Sequence, residues 1–134
     1  MSWQAYVDTS LIGSSHVDQA AIISVAGDSI WATSAGLTLQ PAEMTALSAI
    51  LKGDDSAKDA QDKAFANGLY IGGERYVMAK VEGRSIYARK GREGLAIAKT
   101  TQAIIVAHHG EAQVAGSTTQ TVEALADYLI GVGY

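Results

Sequence analysis

An α+β domain is the fold class this sequence predicts, on three observations. Helix signals stand at both ends of the chain and once in its first half. Short β-patterned segments separated by glycine turns fill residues 68–109. Hydrophobic types make up 48% of the 134 residues, enough for one modest core, and no apolar run approaches a membrane span. The whole chain, 1–134, is therefore expected to form one domain.

The elements follow in order. Ser2 suits the cap of a first helix that puts Trp3, Tyr6, Val7, Ser10 and Leu11 on one face. Gly13 with Ser14 and Ser15 is expected to end it. Residues 17–25 are β-branched and apolar enough for a strand. Ala26-Gly27-Asp28-Ser29 reads as a turn, and residues 30–33 as the returning strand. Pro41 fits the first position of a helix, with Glu43 in its favourable first turn. Met44, Leu47, Ile50 and Leu51 form its apolar face, and Gly53 stops it. Residues 54–67 are polar, alanine-rich and weakly patterned, which suits either a surface helix or a long loop.

A meander comes next. Segments 69–71, 75–81, 84–89, 95–100 and 103–107 are divided by Gly72-Gly73, Glu82-Gly83, the stretch 90–94 and a short link. Gly-Gly and Xaa-Gly at such gaps are hairpin signals. A last helix is predicted over 117–130, with Val122, Leu125, Ala126 and Leu129 as its buried stripe and Gly131 at its end. The terminal helices are then available to cover one face of the sheet.

Several chemistries are excluded. With no cysteine there is no disulfide scaffold, thiolate site or thiol nucleophile. The first six residues have neither a basic start nor an apolar stretch, so no signal peptide is expected. These features fit a reducing, cytoplasmic setting. His108-His109 cannot chelate one ion from a regular strand, because neighbours point to opposite faces; adding Glu111 to one of them makes only two ligands. Asp54, Asp55, Asp59 and Asp62 lack the alternating ligands and central glycine of a calcium loop. No phosphate-binding loop, nucleophile elbow or zinc-protease motif occurs. No metal, no cofactor and no enzymatic activity are expected.

The net charge of −4 is unevenly spread: Arg75, Lys80, Arg84, Arg89, Lys90, Arg92 and Lys99 crowd one fifth of the chain. Such a cluster suits an acidic partner, and equally suits hairpins that need solubilising charge. The aromatics say more. Eight of the nine are Trp or Tyr, the rings that tolerate half-exposure and dominate binding surfaces. Trp3 and Tyr6 share a helix face. Tyr128 lies about 120° off the buried stripe of the last helix at 100° per residue. Terminal helices on one sheet face could gather Trp3, Tyr6, Tyr128 and Tyr134, with Trp31 on a neighbouring strand. A groove of such rings is the usual platform for polyproline II ligands, whose carbonyls are free to accept from indole and phenol donors. The alternative is that Trp3 and Trp31 are core residues pinning the terminal helix.

The residues behind that argument also carry a resemblance. Ser2-Trp3-Gln4-Ala5-Tyr6-Val7-Asp8, Gly27-Asp28-Ser29-Ile30-Trp31-Ala32-Thr33-Ser34, Gly83-Arg84-Ser85-Ile86-Tyr87 and the stretch 125–134 (LADYLIGVGY) run in order across the whole chain. The chain resembles the profilin family, and within it the fungal and amoeboid members. The resemblance implies the profilin fold, a central antiparallel sheet with the N- and C-terminal helices on one face and further helices on the other. It implies a polyproline site of Trp3, Tyr6, Trp31, Tyr128, Leu129 and Tyr134, Tyr128 standing where vertebrate members place a histidine. It implies an actin-monomer face of Lys80, Arg89, Lys90, Lys99, Gly116, Thr119, Gln120 and Glu123. It further implies contact with phosphatidylinositol 4,5-bisphosphate through Arg75, Lys80, Arg84, Arg89 and Lys90.

The implied protein is a monomer of the cytoplasm, cytoskeleton and cell cortex that docks proline-rich segments of formin-like factors and takes no nucleic acid. Three departures stand out. The start of the last helix has no lysine, residues 54–67 are longer and more acidic than the usual connection, and His108-His109-Gly110 replaces a tyrosine-containing strand end. The missing lysines motivate a second reading, a proline-rich-peptide and phosphoinositide module with weak actin binding.

Overall fold

A computed structural model describes residues 2–53 and 55–134. Its backbone is a seven-stranded antiparallel sheet with helices on both faces. The amino-terminal helix, α1, opens over Trp3–Ala5, with the Ser2 hydroxyl accepting from the Ala5 amide as its cap. It continues as a wide π-type segment over Tyr6–Leu11 and a tight 3-10 turn over Ile12–Ser14. The left-handed residue that ends it is Ser15, at φ 67°, and Gly13 lies inside the final turn. Strands β1 (Gln19–Ser24) and β2 (Ile30–Thr33) form the first hairpin. Helix α2 spans Pro41–Ile50, and the acidic stretch left open by sequence is helix α3, Ala57–Asn67, with Asp54 outside the described residues. Strands β3 (Leu69–Ile71), β4 (Glu74–Glu82), β5 (Ser85–Lys90), β6 (Glu93–Lys99) and β7 (Ala103–His109) make the meander, and α4 spans Ala115–Gly131.

The strand order is β2-β1-β7-β6-β5-β4-β3. The meander thus folds back until β7 pairs with β1, with Ile22 opposite Ile105, a long-range pairing that no local signal announces. Alternation then sorts the side chains into two cores. Ile23, Ile104, Val106, Leu95, Ile97, Ile86 and Tyr76 face α2 and α3 with Met44, Leu47 and Ile50. Ala20, Ile22, Ala96, Ala98, Ala103, Ile105 and Ala107 face the terminal helices with Val7, Leu11, Val122, Leu125, Ala126 and Leu129. The second face is rich in alanine, and small side chains let α1 and α4 lie close against the strands. Because β1 and β7 are covered on both faces, they read as continuous apolar runs rather than alternating ones.

Glu43 does more than favour a helix start. It is buried, and its carboxylate accepts from the amides of Gln40 (2.8 Å), Gly72 (3.0 Å) and Gly73 (2.9 Å), which ties α2 to the β3–β4 turn. Thr118 of α4 donates to the His16 carbonyl at 2.6 Å and fixes the two terminal helices to each other's ends. Among the described residues no helix is long and apolar enough to cross a membrane.

Candidate functional site

The rings expected to gather do so. Trp3 is their centre: its ring lies 4.7 Å from Trp31, 5.6 Å from Tyr6 and, edge-on, 5.1 Å from Tyr134. Tyr6 continues the row to Tyr128 at 6.1 Å. Five rings from α1, β2, α4 and the carboxy-terminal segment therefore form one strip. Aromatic pairs at these spacings attract beyond their buried area, so the strip is ordered before any ligand arrives.

Local structure explains each placement. The Ser2 cap sets the first turn that carries Trp3. The Gln4 side chain donates to the Thr33 carbonyl at 2.8 Å and holds α1 against β2, beside Trp31. Tyr134 is held by its backbone: its amide donates to Leu129, and its carbonyl accepts from Gln102 (2.5 Å) and from the Thr100 hydroxyl (2.7 Å). Its ring stays 44% exposed, and Tyr128, off the buried stripe as expected, is 52% exposed. Side-chain hydrogen bonding with Tyr128 raises the Tyr6 phenol above its usual range, with burial adding to it. A cavity of about 480 Å³ lined by Tyr6, Ser10, Thr121, Ala124, Leu125 and Tyr128 extends the strip between α1 and α4.

Leu129 is a correction. It is fully buried, one of the side chains that fasten α4 to the sheet, so it supports the strip from below and offers a ligand no surface. Its place in the buried stripe of the last helix was itself the signal that it would face inward.

The basic stretch divides. Lys80 pairs with Glu82 at 2.6 Å, Lys90 with Glu74, and Arg92 with Glu111 at 2.8 Å. The Arg75 guanidinium donates to the Asn67 carbonyl at 2.8 Å. Arg84 forks onto Glu123 and Asp127, each at 2.7 Å, and both carboxylates raise its pKa. Lys99 donates to the Leu51 carbonyl at 3.0 Å, at the end of α2, on the side away from the terminal helices. The sequence grouped Lys99 with α4; strand alternation puts it on the opposite face, beyond Leu95 and Ile97. Only Arg89 of the cluster has no hydrogen bond or ion pair among the described residues. Most of these charges are therefore internally matched rather than a free cationic surface.

What does assemble near Arg89 is partly apolar. Arg89 stands opposite Val77 on β4, which is 57% exposed, and it lines a small cavity with Thr119 and Ala115 of α4. Gly116 and Gln120 are exposed on the same helix. Glu123 is inward-tied, accepting from Arg84 and from the Ser85 hydroxyl. Val77 and the exposed Val114 escaped the sequence analysis; outward-pointing valine in a strand otherwise polar on that face was the available signal.

The two histidines separate as strand alternation requires. His108 is bracketed by Asp18 (2.5 Å) and Glu93 (3.5 Å), next to Tyr76; His109 lies on the opposite face; and Glu111 joins neither. Among the described residues no group of three or more His, Asp or Glu side chains could hold a metal.

A sheet flanked by helices, with a strip of rings along one side of which all but Tyr6 are at least partly exposed, defines a binding module. Comparison with known proteins gives the module its family. The profilin family model matches residues 1–134. Profilin of Saccharomyces cerevisiae is 47% identical and profilin of Schizosaccharomyces pombe 46% identical, each over the full length of both chains. The structure of Acanthamoeba castellanii profilin IB superposes with a TM-score of 0.90 at 41% identity, covering 99% of this chain and 100% of that one. Mouse profilin IIa, solved in complex with a double repeat from the FH1 domain of mDia1, shares the fold at a TM-score of 0.77 and 21% identity, covering all of both chains. The chain belongs to the profilin family, whose members are actin-binding proteins and not enzymes.

Proposed function

We propose that this protein binds monomeric actin on one side and proline-rich segments on the other, and so regulates actin polymerisation. The observation that carries the reading is the strip of Trp3, Trp31, Tyr6, Tyr128 and Tyr134. Its rings are pre-ordered, all but the buried Tyr6 are partly exposed, and they bear N–H and O–H donors. A polyproline II segment presents flat rings for stacking and carbonyls with no internal partner. The mouse relative solved with an FH1 repeat supports formin-type partners. Leu129 is left out of the contact surface.

The actin face is assigned to β4, β5 and the first turns of α4: Lys80, Arg89, Gly116, Thr119 and Gln120, with Val77 and Val114 added as apolar contacts. Glu123 is retained as the group that anchors α4 there, while Lys90 and Lys99 are set at its margins. Contact with phosphatidylinositol 4,5-bisphosphate is proposed through Arg89, with Lys80 beside it in a solvent-exposed pair with Glu82, while Arg84, Arg75 and Lys90 are tied to other elements. Family membership makes this a cytoplasmic protein of the actin cytoskeleton, and the cell cortex, where phosphoinositides concentrate, is its proposed place.

The test is a titration with poly-L-proline followed by tryptophan fluorescence, since Trp3 and Trp31 are the only indoles and both lie in the strip. A saturable change is expected. Trp3→Ala is expected to weaken binding roughly tenfold or more, as loss of a central ring does at hot spots, and to leave actin affinity unchanged. A folded protein whose fluorescence ignores poly-L-proline would overturn the reading.

A further inference from the structure

The acidic segment that folds into α3 builds one wall of a groove on the sheet face away from the terminal helices. Helix α2 supplies the other wall and β3 the floor, and the groove encloses about 520 Å³. Ala42, Ala46 and Ala49 line it from α2, Ala60 and Ala64 from α3, and Leu69 from below. The spacing explains the opening. Met44 and Leu47 carry the bulk of α2 into the core, which leaves alanines on its side toward α3. Helix α3 answers with alanines one turn apart, and methyl groups do not fill the space between. Both ends are tied. The Gln61 side chain donates to the Ile50 carbonyl at 3.0 Å where α2 ends, and Glu43 fixes the start of α2 to the β3–β4 turn. The groove is therefore formed before an occupant arrives.

Its charge is one-sided. The wall holds one carboxylate and one ammonium, Glu43 and Lys63. Glu43 is buried and already satisfied: Oε1 accepts from Gln40 and Gly72, and Oε2 from Gly73. Lys63 is exposed and has no hydrogen bond or ion pair among the described residues. The charge left for an occupant to answer is positive, and the surface beside it is apolar. The α2 wall runs from Ala42 to Ile50, eight positions, or about 12 Å at 1.5 Å per residue. An extended chain advances roughly 1.2 Å per bond, a third of the span of one extended residue, so an alkyl chain of about ten carbons matches that wall.

We propose that the α2–α3 groove binds a free fatty acid, its alkyl chain along the alanines and its carboxylate paired with Lys63. A mostly apolar recess of several hundred Å³ with a few polar groups to orient the ligand is the usual form of a small-molecule site. The source is a single dissolved chain and not a membrane surface, because a bilayer is gripped by clusters of cations and one ammonium lines this recess. The site lies on the opposite side of the sheet from the aromatic strip, and it stands independently of the actin and proline readings.

The experiment uses the whole chain with sodium decanoate as probe, below the concentration at which it self-associates, against sodium acetate at matched ionic strength. Amide shifts of Ala46, Ala49, Ala64 and Leu69 are followed by NMR. The expected result is a saturable shift at these positions with decanoate and none with acetate. Lys63→Gln should weaken binding roughly tenfold, as loss of a charge-assisted contact produces. Ala46→Leu enlarges an exposed position of the groove wall without touching the core, and should abolish the shifts. Lys58→Gln, an exposed cation of α3 outside the groove, should bind decanoate like the unaltered chain. Equal shifts with acetate would reduce the site to an adventitious ion only and sink the proposal. So would a Lys63→Gln variant that binds decanoate equally well, or decanoate that poly-L-proline displaces, which would place it on the aromatic strip. Shifts at the groove amides that grow with protein concentration alone would give the groove to a second copy of the chain, and would equally overturn it.

Discussion

Tyr76 shows how one buried ring senses its surroundings. It packs in the core between the sheet and α2–α3, beside His108, and burial pushes its phenol up to about 12 from an ordinary 10, with Glu93, Glu74 and Asp18 adding to the effect. The folded state thus holds the phenol proton more tightly than the unfolded chain does. That preference contributes stability in full below about pH 10 and loses it as the pH rises through about 12. Thermal melts at pH 9 and pH 11.5 should show a drop in Tm that is smaller in Tyr76→Phe than in the unaltered chain. An equal drop in both would remove the assignment. The Tyr6 phenol, raised by Tyr128, adds to the alkaline loss that remains in the variant.

Helix α4 is the element that both proposed surfaces share. Its inner stripe, Thr118, Val122, Leu125, Ala126 and Leu129, is buried, while its outer residues serve ligands at opposite ends. Arg84 clamps it from the side by bridging Glu123 and Asp127, with Ser85 also donating to Glu123. These groups are part-exposed, so the clamp orients more than it stabilises. Leu129 gives the cleanest test of the division between inner and outer faces. Leu129→Ala should cost about 2–5 kcal/mol in urea denaturation, because a fully buried leucine leaves a cavity. Under conditions where it remains folded, its poly-L-proline affinity should change far less than that of Trp3→Ala. A stable Leu129→Ala protein with abolished peptide binding would restore it to the contact surface.

At the scale of the molecule, the aromatic strip lies where α1, β2 and the end of α4 meet. The proposed actin face lies on β4, β5 and the start of α4. Thr119 and Tyr128 are nine positions apart, about 13 Å along the helix at 1.5 Å per residue. Separate surfaces on one rigid body allow both partners to bind together, so that actin reaches a filament end at raised effective concentration. Poly-L-proline affinity measured with and without saturating actin should agree within about twofold. Mutually exclusive binding would show that the two footprints overlap.

Much of this was legible in the chain because it is local. The Ser2 cap, the Pro41 helix start, the glycine turns of the meander and the stripe of α4 each depend on neighbours within a turn or a hairpin. The five aromatic rings were legible too, since polar-tipped aromatics on terminal helices have few other reasons to be there. Tertiary structure alone decided what depends on distant partners. The pairing of β7 with β1 joins residues 79 to 89 apart in sequence, from Ser24 with Ala103 to Gln19 with His108. Lys99 fell on the α2 face through the phase of a strand. The basic stretch was largely neutralised by acids from other elements, such as Glu123 from α4 and Glu111 from the loop before it. Charge and ring type belong to the residue. Whether a charge is free, and which face a ring or a lysine serves, is settled by the strand register and helix packing that bring its partners within reach.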